Sequence, residues 1–131
     1  AAAARRLMSG GPSRYAALQA LRDRIEAVTA RFGTVNGAGV ARLPHVTNTS
    51  IEGWRGDELV AALDLAGVQV SAGSACSAGT SEPSPVIQCM SGRARAEAAI
   101  RVSLGESTTR GDVEHAITAL TRVVTRQPSR G

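Results

Sequence analysis

Ile100-Arg101-Val102-Ser103-Leu104-Gly105, followed closely by Thr109-Arg110-Gly111-Asp112-Val113, contains both periodicities on which this chain folds. Ile100, Val102 and Leu104 alternate with Arg101 and Ser103, the two-residue period of a half-buried strand. Such a strand keeps Arg101 off the face that carries the three apolar residues. Gly105 breaks the run. Thr109 and Asp112 have the spacing of a capping box in its Asp variant, each side chain serving the other's backbone N–H. Beyond them Val113, Ile117, Leu120 and Val124 recur every three or four residues, the stripe of an amphipathic helix.

Upstream, Val46-Thr47-Asn48-Thr49-Ser50-Ile51 is rich in β-branched residues and reads as a second strand. Thr34 to Val40 is a weaker, Gly-broken β segment, and Val68 and Val70 start another strand. Gly53 to Gly56 turns the chain. Asp57 caps a helix that buries Leu59, Ala62, Leu63 and Ala66, and Gly67 closes it. In the first helix, capped by Ser13, the stripe is Leu18, Leu21, Ile25, Val28 and Phe32. Arg22, Asp23 and Glu26 face out and Gly33 ends it; about two heptads are too few for a coiled coil. Pro83 and Pro85 fit only a first helical turn, so a short helix is expected from there to about Ser91, stopped by Gly92. The fold class is α+β, a small, mostly antiparallel sheet with helices packed on one face. Residues 1–13 read as a flexible lead-in, 14–125 as one domain and 126–131 as a flexible tail.

The chain's 131 residues, 43% of them hydrophobic and 2% aromatic, suffice for one core filled by Leu, Ile, Val and Ala. No apolar run is long enough for a membrane span, and the opening Ala1 to Arg6 has no signal-peptide core, so a cytoplasmic location is expected. All 15 basic residues are Arg, and the net charge is +4. They are spread along the chain without interleaved aromatics, which argues against a nucleic-acid interface. The absence of Lys excludes a Schiff base between a side chain and a carbonyl cofactor. A start at Ala1 fits a piece of a longer or processed protein. Cys76 and Cys89 form no disulfide framework, and His45 and His115 are distant from both, which argues against a metal site.

The segment with chemical character is Ser71-Ala72-Gly73-Ser74-Ala75-Cys76-Ser77-Ala78-Gly79-Thr80-Ser81-Glu82-Pro83-Ser84, small and polar around one thiol. A core cysteine has bulky apolar neighbours. This one stands on a loop ahead of a helix start, where thiolate, the reactive form, is favoured. From the residues alone a reactive cysteine and an ordinary loop cysteine both stay open. Cys89, between Val86 and Met90, reads as a buried filler of the short helix.

The Cys76 loop resembles the active-site loop of the NifS/IscS-type cysteine desulfurases of the class V aminotransferase family. Leu43-Pro44, Asn48 and Ser50 are similar to the strand motif upstream in that family, and Gly56-Asp57-Glu58-Leu59 through Ala62-Leu63-Asp64 to its following helix. Ile100 to Gly105 with Thr108-Thr109 resembles the strand and helix that close the family's small domain, and Leu21-Arg22-Asp23-Arg24 fits its lead-in. The resemblance covers roughly residues 14–125, with its motifs in order.

It implies the C-terminal domain of a fold-type I pyridoxal-phosphate enzyme. In that family cysteine is converted to alanine with pyridoxal phosphate, and the sulfur passes to the loop cysteine as a persulfide. By resemblance Cys76 takes the persulfide and hands it to an acceptor protein for iron–sulfur cluster or thio-cofactor assembly. Arg101 matches the arginine that holds the substrate carboxylate, a contact suited to a guanidinium fork; a plain surface arginine on a strand is the other reading. Asn48 places an amide near the site or serves a strand-capping or turn role. The family's Schiff-base lysine, stacking histidine and pyridine-binding aspartate have no counterparts here, so the cofactor is expected in a missing domain or partner chain. His45 in its turn and His115 on the last helix read as solvated. Smaller departures are Ser81 before Glu82-Pro83, Pro85, and Val102 where the family usually has an aromatic. Three functions follow: a desulfurase domain that works only with a cofactor domain, a non-enzymatic sulfur-relay or interaction module, and an inactive relic. The domain is expected either to dock on a cofactor-bearing partner or to self-associate as a homo-oligomer.

Overall fold

The computed structural model describes residues 11–40, 42–72, 86–87, 89 and 92–126. Helix α1 spans Gly11–Thr29, strand β1 Gly33–Val35, strand β2 Val46–Ile51 and helix α2 Gly56–Leu65. A short helix α3, Arg93–Glu97, leads into strand β3, Ala99–Ser103, and helix α4, Arg110–Thr125, follows. The strands form one antiparallel sheet in the order β1-β2-β3. The fold is therefore α+β, as the patterning predicts.

Alternation along the strands gives the sheet two unlike faces. One carries Thr47, Thr49 and Ile51 of β2 with Ile100 of β3, all nearly fully buried. The three long helices cover it. Ile51 and Ile100 form one apolar cluster with Leu59 and Leu63 of α2 and Leu120 and Val124 of α4. A second cluster joins Leu18 and Ile25 of α1 to Leu104 and Val113. The β2 threonines face α1, so their hydroxyls need partners. Thr49 Oγ1 meets Thr29 Oγ1 at 3.0 Å. Thr47 Oγ1 donates to Glu26 Oε2 at 2.7 Å, and Arg42 grips both oxygens of that carboxylate at 2.7 and 3.0 Å. The opposite face carries Asn48 and Arg101 and meets the short α3, where Ala96 and Ile87 cover Ala99.

The capping box at Thr109 forms with both bonds: Asp112 N–H donates to Thr109 Oγ1 at 3.1 Å, and Thr109 N–H to Asp112 Oδ2 at 2.8 Å. Gly67, with φ +84, closes α2; its N–H donates to Asp64 O and that of Val68 to Leu63 O.

Six expectations need correction. Ser13 does not cap α1, which begins two residues earlier at Gly11. Gly33 opens β1 and does not stop α1, which ends at Thr29 and tightens through Arg31 and Phe32 N–H bonds three residues back. Its lack of a side chain serves close approach, because a Cβ would sit 1.9 Å from Ser50 O. Neither Arg22 nor Glu26 faces out: Glu26 is half-buried against Thr47 and Arg42, and Arg22 is 7% exposed, donates to Leu43 O at 3.1 Å, and holds Asp23 with its Nε and Nη2. The segment around Leu43 covers that side of α1, which helical periodicity alone cannot foresee. Asp57 lies in the first turn of α2, whose N-cap position is Arg55; Asp57 Oδ1 accepts from the Glu58 N–H. Val68 and Val70 form no strand, since the Val68 N–H closes α2; only Ser71 makes a bridge, to Arg101. Val86, Ile87 and Cys89 are helical, as expected, but Cys89 is exposed and Ile87 is the buried residue. Two residues turn a helix by about 200°, so burying Ile87 turns Cys89 outward.

Candidate functional site

The polar face of the sheet brings two of the three sequence-derived site residues together. Asn48 and Arg101 are direct cross-strand partners of β2 and β3. Arg101 N–H and O are both engaged by Ser71, and Asn48 O accepts from Asn36 N–H on the β1 side at 2.8 Å. Neither residue therefore spends its main-chain groups on the other. Asn48 and Arg101 form a non-hydrogen-bonded pair, the closer of the two antiparallel types, with Cα atoms about 4.5 Å apart and side chains on one face. Arg101 is exposed, as the alternation of its strand predicts, and its guanidinium has no side-chain partner among the described residues. A guanidinium so placed is free to take a carboxylate.

Asn48 is half-buried, and its Oδ1 accepts from Asn36 Nδ2 at 2.8 Å. Asn36 Nδ2 also donates to Ser50 Oγ at 2.9 Å, and Asn36 Oδ1 accepts from Arg95 Nη2 at 2.9 Å. Ser50 Oγ donates in turn to Arg95 O at 2.7 Å. Asn36 and Ser50 are each 5% exposed, so these bonds satisfy groups that have lost water. Sequence reading missed Asn36 and Arg95. Asn36 stands in the Gly-broken segment before Gly37, and Arg95 in α3, whose one local signal is the Arg93–Glu97 pair at i,i+4.

Cys76 lies outside the described residues. The chain leads toward it from Ser71, which Arg101 holds by two main-chain bonds, at 2.7 Å from Arg101 N–H and 3.0 Å to Arg101 O. Cys76 comes five positions after Ser71, a covalent reach of at most about 18 Å. His45 does lie in a turn but is half-buried, and its Nδ1 is buried without a hydrogen-bond partner among the described residues, which corrects the solvated reading. His115 is exposed on α4. Among the described residues no group of His, Cys, Asp or Glu could hold a metal ion, and no helix is long and apolar enough to cross a membrane.

Residues 13–115 match the family aminotransferase class-V. A cysteine desulfurase of Bradyrhizobium diazoefficiens is 38% identical over 110 residues, covering 82% of this chain and 28% of that protein. An IscS-like cysteine desulfurase of Mycobacterium tuberculosis is 37% identical, with 96% of this chain and 33% of the relative covered. A solved NifS-like protein of Rickettsia africae superposes with a TM-score of 0.73 at 25% identity, over 87% of this chain and 30% of its own. The chain thus spans roughly a third or less of the length of these relatives. It belongs to the class V aminotransferase family and is similar there to the cysteine desulfurases.

Proposed function

We propose that this chain supplies the sulfur-accepting thiol and the carboxylate-binding arginine of a cysteine desulfurase. Cys76 is the nucleophile. Its thiolate forms an S–S bond to the sulfur of cysteine, the substrate Cβ–S bond breaks, and the electron pair stays on carbon, which ends protonated as alanine. Cys76 is left as a persulfide for an acceptor protein of iron–sulfur cluster or thio-cofactor assembly. Arg101 holds the substrate carboxylate by paired charge-assisted bonds, fixing where the sulfur lies relative to Cys76.

Pyridoxal phosphate, on which the family depends, does not fit this chain as a resident group. Covalent attachment takes a lysine amine, and none of the 131 residues is Lys. The polar face offers amides, a hydroxyl and guanidinium groups, but no amine. A partner domain or chain therefore binds the cofactor.

The observation that carries this reading is the Arg101 guanidinium, without a side-chain partner among the described residues, on the residue whose main chain holds Ser71, the last residue but four before Cys76. A sulfur relay needs the thiol but has no use for a carboxylate-binding arginine. The test combines the purified chain with a pyridoxal-phosphate domain from the same source and measures sulfide released from cysteine. Release is expected from the mixture and not from Cys76→Ala. Release that survives Cys76→Ala overturns the reading.

A further inference from the structure

The hydrogen bonds behind Asn48 have a direction. Arg95 is a donor only, because a guanidinium has no acceptor. Asn36 must therefore turn Oδ1 toward Arg95 Nη2, 2.9 Å away. That orientation leaves Asn36 Nδ2 for its other two neighbours, Ser50 Oγ at 2.9 Å and Asn48 at 2.8 Å. Ser50 agrees with it, since its own hydrogen goes to Arg95 O at 2.7 Å, so that its oxygen is free to accept. Asn48 then meets a donor and must present Oδ1. Its NH2 group is left over, with no partner among the described residues, on the residue paired across the strands with Arg101. Every choice follows from the single fact that Arg95 cannot accept.

We infer that Arg95 and Asn36 are positioning residues that fix the Asn48 amide as a hydrogen-bond donor beside the Arg101 guanidinium, so that the site presents donors only and selects a carboxylate. The inference rests on the proposed role of Arg101. A free asparagine can turn either edge outward at little cost, and an outward Oδ1 would repel a carboxylate oxygen. With 5% exposure, Asn36 cannot turn without leaving Arg95 Nη2 facing an NH2 group, and an unmet buried donor is costly. The network therefore spends no contact on substrate itself. It sets the polarity of the residue that makes the contact.

Two readouts test this. In the chain labelled with 15N, side-chain amide exchange with solvent is measured for Asn36 and Asn48. Both Asn36 protons are bonded, so Asn36 should exchange at least about tenfold more slowly than Asn48. Arg95→Met, which removes the donor, should shrink that difference severalfold, and Arg95→Lys, which restores one, should bring it back. Equal protection of the two amides in the unaltered chain, or a difference unmoved by Arg95→Met, overturns the inference. With the cofactor domain present, Arg95→Met should raise KM for cysteine about fivefold, with kcat changed less than twofold, and Arg95→Lys should restore KM. A raised KM in Arg101→Lys but not in Arg95→Met overturns this inference alone. An unchanged KM in Arg101→Lys overturns the carboxylate reading and this inference with it.

Discussion

Arg101 and Ser71 exchange both of their main-chain hydrogen bonds, at 2.7 and 3.0 Å, and so tie the chain ahead of Cys76 to the strand that presents the guanidinium. The tie uses backbone only. Ser71→Ala should leave stability within about 0.5 kcal/mol of the parent, whereas Ser71→Pro removes the N–H donor and should cost about 1–3 kcal/mol. Urea unfolding of the two variants checks this. Equal stabilities would mean that the bridge contributes nothing.

Gly33 should tolerate no side chain. A Cβ there would meet the main-chain Ser50 O at 1.9 Å, which cannot swing away, whereas at Gly39 it would meet nothing within 4 Å. Gly33→Ala should destabilise the fold by about 2–3 kcal/mol or more and Gly39→Ala by under about 0.5 kcal/mol. Thermal unfolding that ranks the two variants alike would contradict the close approach of β1 to β2.

Glu26 makes stability depend on acid. Its hydrogen bonds from Arg42, against the opposing effect of burial, and a further bond from Thr47 hold its carboxyl below the usual carboxylate range. A carboxyl with a lowered folded-state pKa stabilises the fold above its unfolded value and loses that stabilisation as pH falls through the folded value. Stability should therefore decline below roughly pH 4, the ordinary range of an unfolded glutamate. Glu26→Gln should be less stable than the parent at neutral pH, with the difference shrinking in acid. A difference that grows on acidification would reverse the sign of the argument.

Cys89 should react freely with alkylating reagents in the native chain. It is exposed, and Ile87 occupies the inward side of its turn. Mass-mapped labelling should modify Cys89 in the folded chain within a few-fold of its rate in urea. Strong native protection would restore the expectation of a buried thiol.

The strands β2 and β3, the box at Thr109 and the α4 stripe are legible in the sequence because each shows as a period or spacing among near neighbours. What escaped has its cause at a distance. Arg22 looks like a solvated helix residue until the segment around Leu43 folds over it, 21 residues on. Gly33 looks like a helix stop because close approach to Ser50 leaves no mark on its neighbours. At the site, alternation alone put Arg101 off the core face and the motif pointed to Asn48. Behind Asn48, Arg95 is 59 residues from its partner Asn36, and no local pattern announces that bond.

Arg101 should be separable into a scaffold and a reagent. Its main chain carries the bridge to Ser71, while its exposed guanidinium has no side-chain partner among the described residues. Arg101→Gln and Arg101→Lys keep the backbone, so both should unfold within about 0.5 kcal/mol of the parent. If the guanidinium holds the substrate carboxylate, Arg101→Gln should weaken cysteine binding by about 1.5–3 kcal/mol, the range of a charge-assisted hydrogen bond. Arg101→Lys keeps the charge but loses the fork, so it should fall between Gln and the parent. The measurement is KM for cysteine in the mixture with the cofactor domain, beside the urea midpoint of each chain. Loss of stability in step with loss of binding would make Arg101 a structural residue. A KM that ignores both substitutions would remove it from the site and leave Cys76 to act without a carboxylate anchor from this chain.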